Sequence, residues 1–409
     1  MEPLHFIDLL VVCAIAFATP LLLGLVPRLR LPAVVVAIVA GIVVGPSGLD
    51  WVQVEEPVAV FSLVGLAMLL FLAGLELDFA RLRGPLLRLT LLAFACSFGL
   101  AIVAGLVFHA TGDVRSPVFV AIVLSATSLG VLVPTLKDAG LVDSRFGQLI
   151  IAAASIADIA TVVLLSLLFS DQTSDVTTKV VLLGSLVLLS VGVIAAVRLA
   201  EHWKRIGTAV ERLHGTTAEI KVRGAFVLLI GFVALAQQLG LEVILGAFVA
   251  GALLSVLDPK REVAHAGLRS KLDAVGYGVF IPVFFVASGL RFDLDALTSS
   301  SQALLRVPLF LLALLVVRGG PALLYRGYLG DRRATVVAAL FQATSLPFVI
   351  ASTEIGLSLH LLSRGTAAGL VAAGLLSVLL FPLIGLTLLR GGGAGSPAAE
   401  PDITLAGRA

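Results

Sequence analysis

The sequence predicts an all-α polytopic membrane protein of about thirteen transmembrane helices, and three observations predict it. Mean hydropathy is +1.10, with 59% hydrophobic and only 13% charged residues, about half the charged quarter of an ordinary soluble domain. Apolar windows of about twenty residues, the length that crosses a bilayer's hydrocarbon core, recur along the chain. The Lys and Arg content of successive loops alternates, as it does when those loops lie on opposite sides of a membrane. A large soluble core is excluded. The small formal net charge of +2 reflects loop arginines that set orientation, so it indicates no nucleic-acid partner.

Taken in order, the first apolar run, Phe6 to Val26, has no preceding Lys or Arg and is followed by Arg28 and Arg30. That pattern predicts a retained first span with its N-terminus outside, not a signal peptide. The spans that follow are 31–46, 57–77, 85–109, 116–136, 147–169, 178–199, 221–238, 240–256, 273–290, 303–325, 333–353 and 362–389. Only a Leu239-Gly240 turn separates 221–238 from 240–256. Arg28/Arg30, Arg81/Arg83, Lys137/Arg145, Lys204/Arg205/Arg212, Lys260/Arg261/Arg269/Lys271 and Arg326/Arg332/Arg333 fall on one side. Asp50/Glu55/Glu56, Asp113/Arg115, Asp171/Asp175 and Asp293/Asp295 fall on the other. The basic side is therefore expected to be cytoplasmic, within a multi-pass protein of the cell (plasma or inner) membrane whose C-terminus is inside. Residues 200–220 form a basic cytoplasmic connector. Residues 1–390 make one transmembrane domain, and 391–409, rich in Gly, Ala and Pro, a disordered cytoplasmic tail with no soluble domain attached.

Enzyme chemistry has little to work with. Cys13 and Cys96 lie in apolar runs without CxxC or a nearby His, so neither a metal centre nor a disulfide framework is indicated. There is no GxSxG, HExxH or P-loop, and no cofactor is expected. An intramembrane aspartyl protease needs two facing aspartates, and one stands at midplane depth. That one is Asp158, near the middle of GQLIIAAASIADIATVVLLSLLF, Gly147 to Phe169. At about 1.5 Å rise per residue it lies roughly 18 Å from the charged end of its helix, where an ionised carboxylate costs several kcal/mol. The functional reading is an ion or proton site, and the bland one a carboxyl kept neutral or paired inside a bundle.

An internal repeat supports the functional reading. SATSLG at 125–130 and QATSLP at 342–347 share Ala-Thr-Ser-Leu in mid-span, in the fifth and twelfth predicted helices. Seven spans apart, they cross the membrane in opposite directions. In each, a Thr-Ser pair followed by Gly or Pro (Thr127, Ser128 and Gly130; Thr344, Ser345 and Pro347) interrupts apolar sequence. Broken helices at corresponding positions of two inverted halves point to a transporter's midplane site. The alternative is that Thr and Ser merely bond back to i−4 carbonyls of unbroken helices. Two breaks near Asp158 would supply carbonyl and hydroxyl oxygens, a hard-oxygen site for an alkali cation. Thr127, Ser128 and Ser155, the last on the same helical face as Asp158, are further candidate donors. A carboxylate so placed holds either a proton or a cation, and that competition is the simplest basis for exchange. Arg318 is the other mid-membrane charge. It either faces the bundle, neutralising a carboxylate or helix C-terminal dipoles at a break, or snorkels to the interface. Glu242, Glu354, Glu76 and Asp78 sit near span ends and read as solvated.

Together these stretches resemble the monovalent cation:proton antiporter family of the Kef-type potassium/proton and bacterial sodium/proton exchangers. The residues that carry the resemblance are GIVVGPSGL at 41–49, LVGLAMLLFLAGLELD at 63–78, SATSLGVLVPTLKD at 125–138, ADIATVVLL at 157–165, LGAFVAGALLS at 245–255 and PVFFVASGLRFD at 282–293. The resemblance implies a thirteen-helix inverted-repeat fold with two broken, crossed helices in a mobile core, a dimerisation scaffold and hence a homodimer. It implies that Asp158 binds the transported Na+ or K+ and the proton, that Thr127 and Ser128 lie in the unwound part of the first broken helix, and that Arg318 stands at the family's basic position, often a lysine. Ala157 departs from the family's usual Asp, Asn or Gln before the binding aspartate. The Kef-type nucleotide-binding gating domain is missing as well. One midplane carboxylate, with an arginine that stays protonated at physiological pH, implies electroneutral exchange. The expectation is therefore a proton-coupled Na+ or K+ antiporter. The alternatives are a K+ efflux channel or uniporter on the same helices, and a non-transporting sensor or scaffold subunit.

Overall fold

The computed structural model describes residues 6–25, 31–77, 84–112, 114–169, 219–257 and 266–390, with scattered positions between 181 and 195. Most of the predicted span at 178–199, the connector at 200–220 apart from its last two residues, Asp78, and the tail at 391–409 lie outside the described residues. In chain order the helices are α1 (Ile7–Leu25), α2 (Ala33–Val44), α3 (Glu56–Leu75), α4 (Gly84–Ala110), α5 (Pro117–Ser125), α6 (Leu129–Asp138), α7 (Arg145–Phe169), α8 (Ile220–Gln238), α9 (Val243–Leu257), α10 (Ala266–Val275), α11 (Ile281–Leu290), α12 (Leu294–Thr298), α13 (Ser301–Leu314), α14 (Arg326–Leu329), α15 (Arg332–Gln342), α16 (Pro347–Ser358) and α17 (Arg364–Arg390). Among the described residues, ten helical stretches are long and apolar enough to cross a membrane, and the shorter apolar α2 and α9 accompany them. The Leu239-Gly240 division holds: α8 ends at Gln238 and Gly240 turns the chain at φ +69°.

Both predicted breaks are present. The α5–α6 span unwinds at Ala126–Ser128, and the α15–α16 span unwinds between Ala343 and Leu346. Pro347 opens α16, where a missing N–H costs nothing. Two further spans are continuous but locally widened by π-helical turns, Gly276–Phe280 between α10 and α11, and Leu315–Gly319 after α13, the latter running into a 3₁₀ turn at Gly320–Tyr325. Such π turns shift the register of the side chains that follow and are common at functional sites.

Glycines decide how the scaffold helices meet. A Cβ at Gly41 would collide with the Val286 carbonyl and one at Gly289 with that of Ile38, so α2 and α11 touch backbone to backbone. Gly74 and Gly251 do the same for α3 and α9, against the carbonyls of Phe248 and Phe71. Without a hydrophobic force between helices in lipid, this close approach and its dispersion contacts hold the pairs. α1 packs on α2 and α11 and turns Leu10, Phe17, Leu21, Leu22 and Leu25 outward, as a lipid-facing helix does. α7 runs inside the bundle. It contacts α4, α5, α6, α9 and α15, and from Ala152 to Asp158 it is buried without interruption. Asp158 thus sits at the centre of the fold.

Candidate ion-binding site

The two breaks meet. The Ser128 amide donates to the Thr344 carbonyl (2.9 Å) and the Thr127 hydroxyl to the Gln342 carbonyl (2.8 Å), so each interrupted strand supplies what the other lost, as backbone in the bilayer must be satisfied. Four helix ends converge there, the C-terminal ends of α5 and α15 and the N-terminal ends of α6 and α16. Partial negative and positive charges therefore face one another, and two ionisable side chains, Asp158 and Arg318, stand among them. The N-terminal end of α6, at Leu129, lines the same cavity as Asp158. On the other side the guanidinium of Arg318, 4% exposed, lies beside Gln342, the last residue of α15.

Arg318 reaches this place because the π turn at Leu315–Gly319 rotates it inward. Its Nε donates to Thr127 Oγ1 (2.7 Å), Nη1 to Ser97 Oγ (3.2 Å) and Nη2 to Gln342 Oε1 (2.6 Å). Each acceptor is itself tied down: Ser97 donates to the Val317 carbonyl (2.8 Å) and Gln342 Nε2 to the Ile150 carbonyl of α7 (3.2 Å). The arginine faces the bundle, and snorkelling is ruled out. Among the described residues its hydrogen-bond partners are two hydroxyls and an amide, with no carboxylate.

A cavity of about 40 Å³, room for a few waters, opens beside the crossing and runs to the C-terminal end of α3. Thr127, Ser128, Gly130, Asp158 and Pro347 line it, with Leu69, Leu70, Phe248, Phe348, Tyr277 and Glu76. The structure thus brings together five of the residues expected from the sequence. Ser128 Oγ is buried with no hydrogen-bond partner, a free oxygen at the cavity wall. The Thr127 hydroxyl is instead committed to Arg318 and Gln342. Ser155 is buried one turn before Asp158 but does not line the cavity. Thr344 and Ser345 are buried in the second break: Thr344 bonds back to the Leu340 carbonyl (3.2 Å), and the Ser345 amide donates to Ser377 Oγ (3.1 Å).

The chain from residue 13 to 390 matches the model of the transmembrane sodium/hydrogen exchanger. The chain belongs to the sodium/hydrogen exchanger family. It is therefore a transporter-family protein and not an enzyme. It is 34% identical over 394 residues to a protein of Bacillus subtilis described as the putative Na(+)/H(+) antiporter YjbQ, covering 92% of this chain and 62% of that one. It is 30% identical to the Na(+)/H(+) antiporter of Enterococcus hirae, over 93% of this chain and 97% of that one. With the Na(+)/H(+)-K(+) antiporter GerN of Bacillus cereus it shares 28% identity over 91% of this chain and 93% of the relative. Among solved structures, the sodium proton antiporter MjNhaP1 of Methanocaldococcus jannaschii superposes with a TM-score of 0.65 at 16% identity, over 95% of this chain and 97% of that one. At that identity the likeness shows the exchanger fold.

The sequence reading of this family member missed four site residues. Glu76, expected to be solvated, is a correction: its side chain is only 13% exposed and lines the cavity with Asp158, because the π turn at Gly276–Phe280 packs on Met68 and Leu72 and covers the end of α3. Tyr277 enters through the same turn. Ser97 and Gln342 hold Arg318. Gln342 carried a usable signal, a long polar side chain immediately before the repeated Ala-Thr-Ser-Leu. Glu354 does lie at a helix end, but paired with Arg291 (3.1 Å) rather than free in solvent.

Proposed function

We propose that this chain exchanges protons for Na+ or K+ across the cell membrane by alternating access, with the proton and the cation competing for Asp158. The observation that carries the reading is that the one carboxylate at the middle of α7 lines a cavity at the crossing of two broken helices, beside an unpartnered serine hydroxyl. The names of the relatives agree with it: the Enterococcus hirae protein is a Na(+)/H(+) antiporter and GerN a Na(+)/H(+)-K(+) antiporter. A second space, about 760 Å³, lies at the opposite ends of the helices, lined by Arg291, Asp293, Glu354 and His360 and by neither Asp158 nor any residue of the breaks. That the two spaces share no lining residue supports a cycle in which the site is reached from one side at a time.

In this mechanism Asp158 is either protonated or cation-bound whenever it crosses the barrier, because a bare carboxylate in a dry bundle is too costly. Backbone oxygens of the first break and Ser128 Oγ replace part of the cation's water. Arg318 stays charged and fixed. One carboxylate then carries one positive charge in either direction, and exchange is electroneutral. A homodimer, and an orientation with the basic loops in the cytoplasm, complete the proposal. The test is the purified protein in liposomes loaded with a pH dye. Wild type moves protons in response to Na+ or K+ gradients, and Asp158→Asn abolishes this with unchanged folding, since the amide keeps the shape but cannot exchange a proton. Near-normal flux in Asp158→Asn at matched protein content would remove Asp158 from the mechanism. Cation flux without proton movement would favour a channel or uniporter, and no movement of either a sensor.

A further inference from the structure

The cavity contains a second carboxylate that the exchange mechanism above leaves unused. Glu76 ends α3 at the far end of the space from the crossing. Its Oε1 accepts from Arg269 Nη2 at 3.2 Å, whereas its Oε2 is buried and has no hydrogen-bond partner. Arg269 is 43% exposed and also lies 3.9 Å from Asp273, so its hold on Glu76 is that of a solvated pair, worth little. Leu69, Leu70, Ala73 and Phe248 line the same cavity without offering a donor, and the Tyr277 hydroxyl, which lines it too, makes no hydrogen bond to Oε2. A buried carboxylate oxygen facing such a wall calls for a cation or a donor from the cavity itself. Glu76 and Asp158 are also close enough for their charges to act on each other, and two carboxylates lining one small space are best reconciled by a cation held at or between them.

We propose that Glu76 is a second cation-coordinating carboxylate of the transport pathway, receiving Na+ or K+ at the α3 end of the cavity and passing it to Asp158, with Arg269 as the competing counter-charge. This rests on the exchange reading of Asp158. Arriving cation exchanges the Arg269 contact for its own, so Arg269 sets how readily Glu76 accepts it. Aspartate at this position keeps the charge on a shorter arm and glutamine keeps the shape without the charge; the two changes separate coordination from packing.

The experiment is dye-reported exchange in liposomes by the full chain, titrated with NaCl and with KCl, alongside thermal unfolding in detergent. Glu76→Gln is expected to raise the half-maximal cation concentration about tenfold, with Glu76→Asp intermediate and melting nearly unchanged. Arg269→Gln, at a partly exposed residue outside the cavity lining, is expected to lower it. A half-maximal concentration unchanged in Glu76→Gln, with or without a loss of melting temperature, overturns the proposal and makes Glu76 a helix-end residue. Should Glu76→Gln fail to fold, Arg269→Gln decides: a lowered value supports the second site and an unchanged one overturns it. If Asp158→Asn is inactive while Glu76→Gln titrates like wild type, only the second site fails. If Asp158→Asn exchanges normally, the reading beneath it fails as well.

Discussion

Replacing Arg318 by glutamine separates holding the crossing from moving charge. The guanidinium spans three helical segments through bonds of 2.7, 3.2 and 2.6 Å to Thr127, Ser97 and Gln342, and a glutamine amide is too short and too poor in donors to keep more than one. Side-chain hydrogen bonds inside membrane proteins measure about 0.6 kcal/mol on average and up to about 1.7, and a charged donor roughly doubles a neutral bond. Two lost bonds then cost about 2–7 kcal/mol, of which the relief of a desolvated charge returns a part. With about 2.1 cal/mol/K of unfolding entropy per residue, a chain of 409 residues loses about 1 °C per kcal/mol, so the melting temperature falls by roughly 2–5 °C. The assay is thermal unfolding of purified Arg318→Gln in detergent, paired with exchange in liposomes whose potential is clamped. The expected variant is less stable, slower, and unchanged in stoichiometry. An unchanged melting temperature together with a shifted reversal potential would show that Arg318 takes part in charge movement and that the crossing stands without it.

Thr127→Val removes the hydroxyl that accepts from Arg318 and donates to Gln342, so it is expected to lower stability by about 1–3 kcal/mol while the half-maximal cation concentration moves less than about twofold. A titration showing the reverse would return that hydroxyl to the cation's coordination shell. Gly251→Ala forces α3 and α9 apart at the Phe71 carbonyl and is expected to cut the yield of folded protein sharply, checked by size-exclusion profile and melting; normal yield would mean that the close packing is dispensable. In liposomes clamped at several potentials, wild-type exchange is expected to run at a rate independent of voltage, and a reversal potential that follows the clamp would mean more than one proton per cation.

The parts of this fold that are legible in the sequence are those the bilayer makes conspicuous. A carboxylate in the middle of an apolar helix is costly in lipid, so Asp158 stands out from the residues around it alone. Two copies of Ala-Thr-Ser-Leu in oppositely directed spans locate the breaks, and their meeting at Ser128 and Thr344 follows from inverted symmetry. Glu76 is hidden for the opposite reason. A glutamate at a helix end looks solvated, and its burial depends on a π turn far along the chain, at Gly276–Phe280, that no periodicity announces. The same holds for Arg318: its depth is visible, but its reach to Thr127, Ser97 and Gln342 depends on the extra residue in the turn at Leu315–Gly319, which rotates everything after it.

The absence of a carboxylate from the partners of Arg318 has a mechanical consequence. Where a mid-membrane cation is paired with an acid, protonating or metallating that acid breaks the pair, and the energy of the pair becomes part of the transport cycle. Here the three acceptors of the guanidinium are a threonine, a serine and a glutamine, none of which titrates. In the proposed mechanism, loading Asp158 with a proton or an alkali ion therefore removes no hydrogen-bond partner of Arg318, although the two groups still act on each other through their charges. The bonds that hold the crossing can then persist in either loaded form. On this reading only the empty, ionised carboxylate is disfavoured in transit, and that single prohibition is enough to couple the two fluxes.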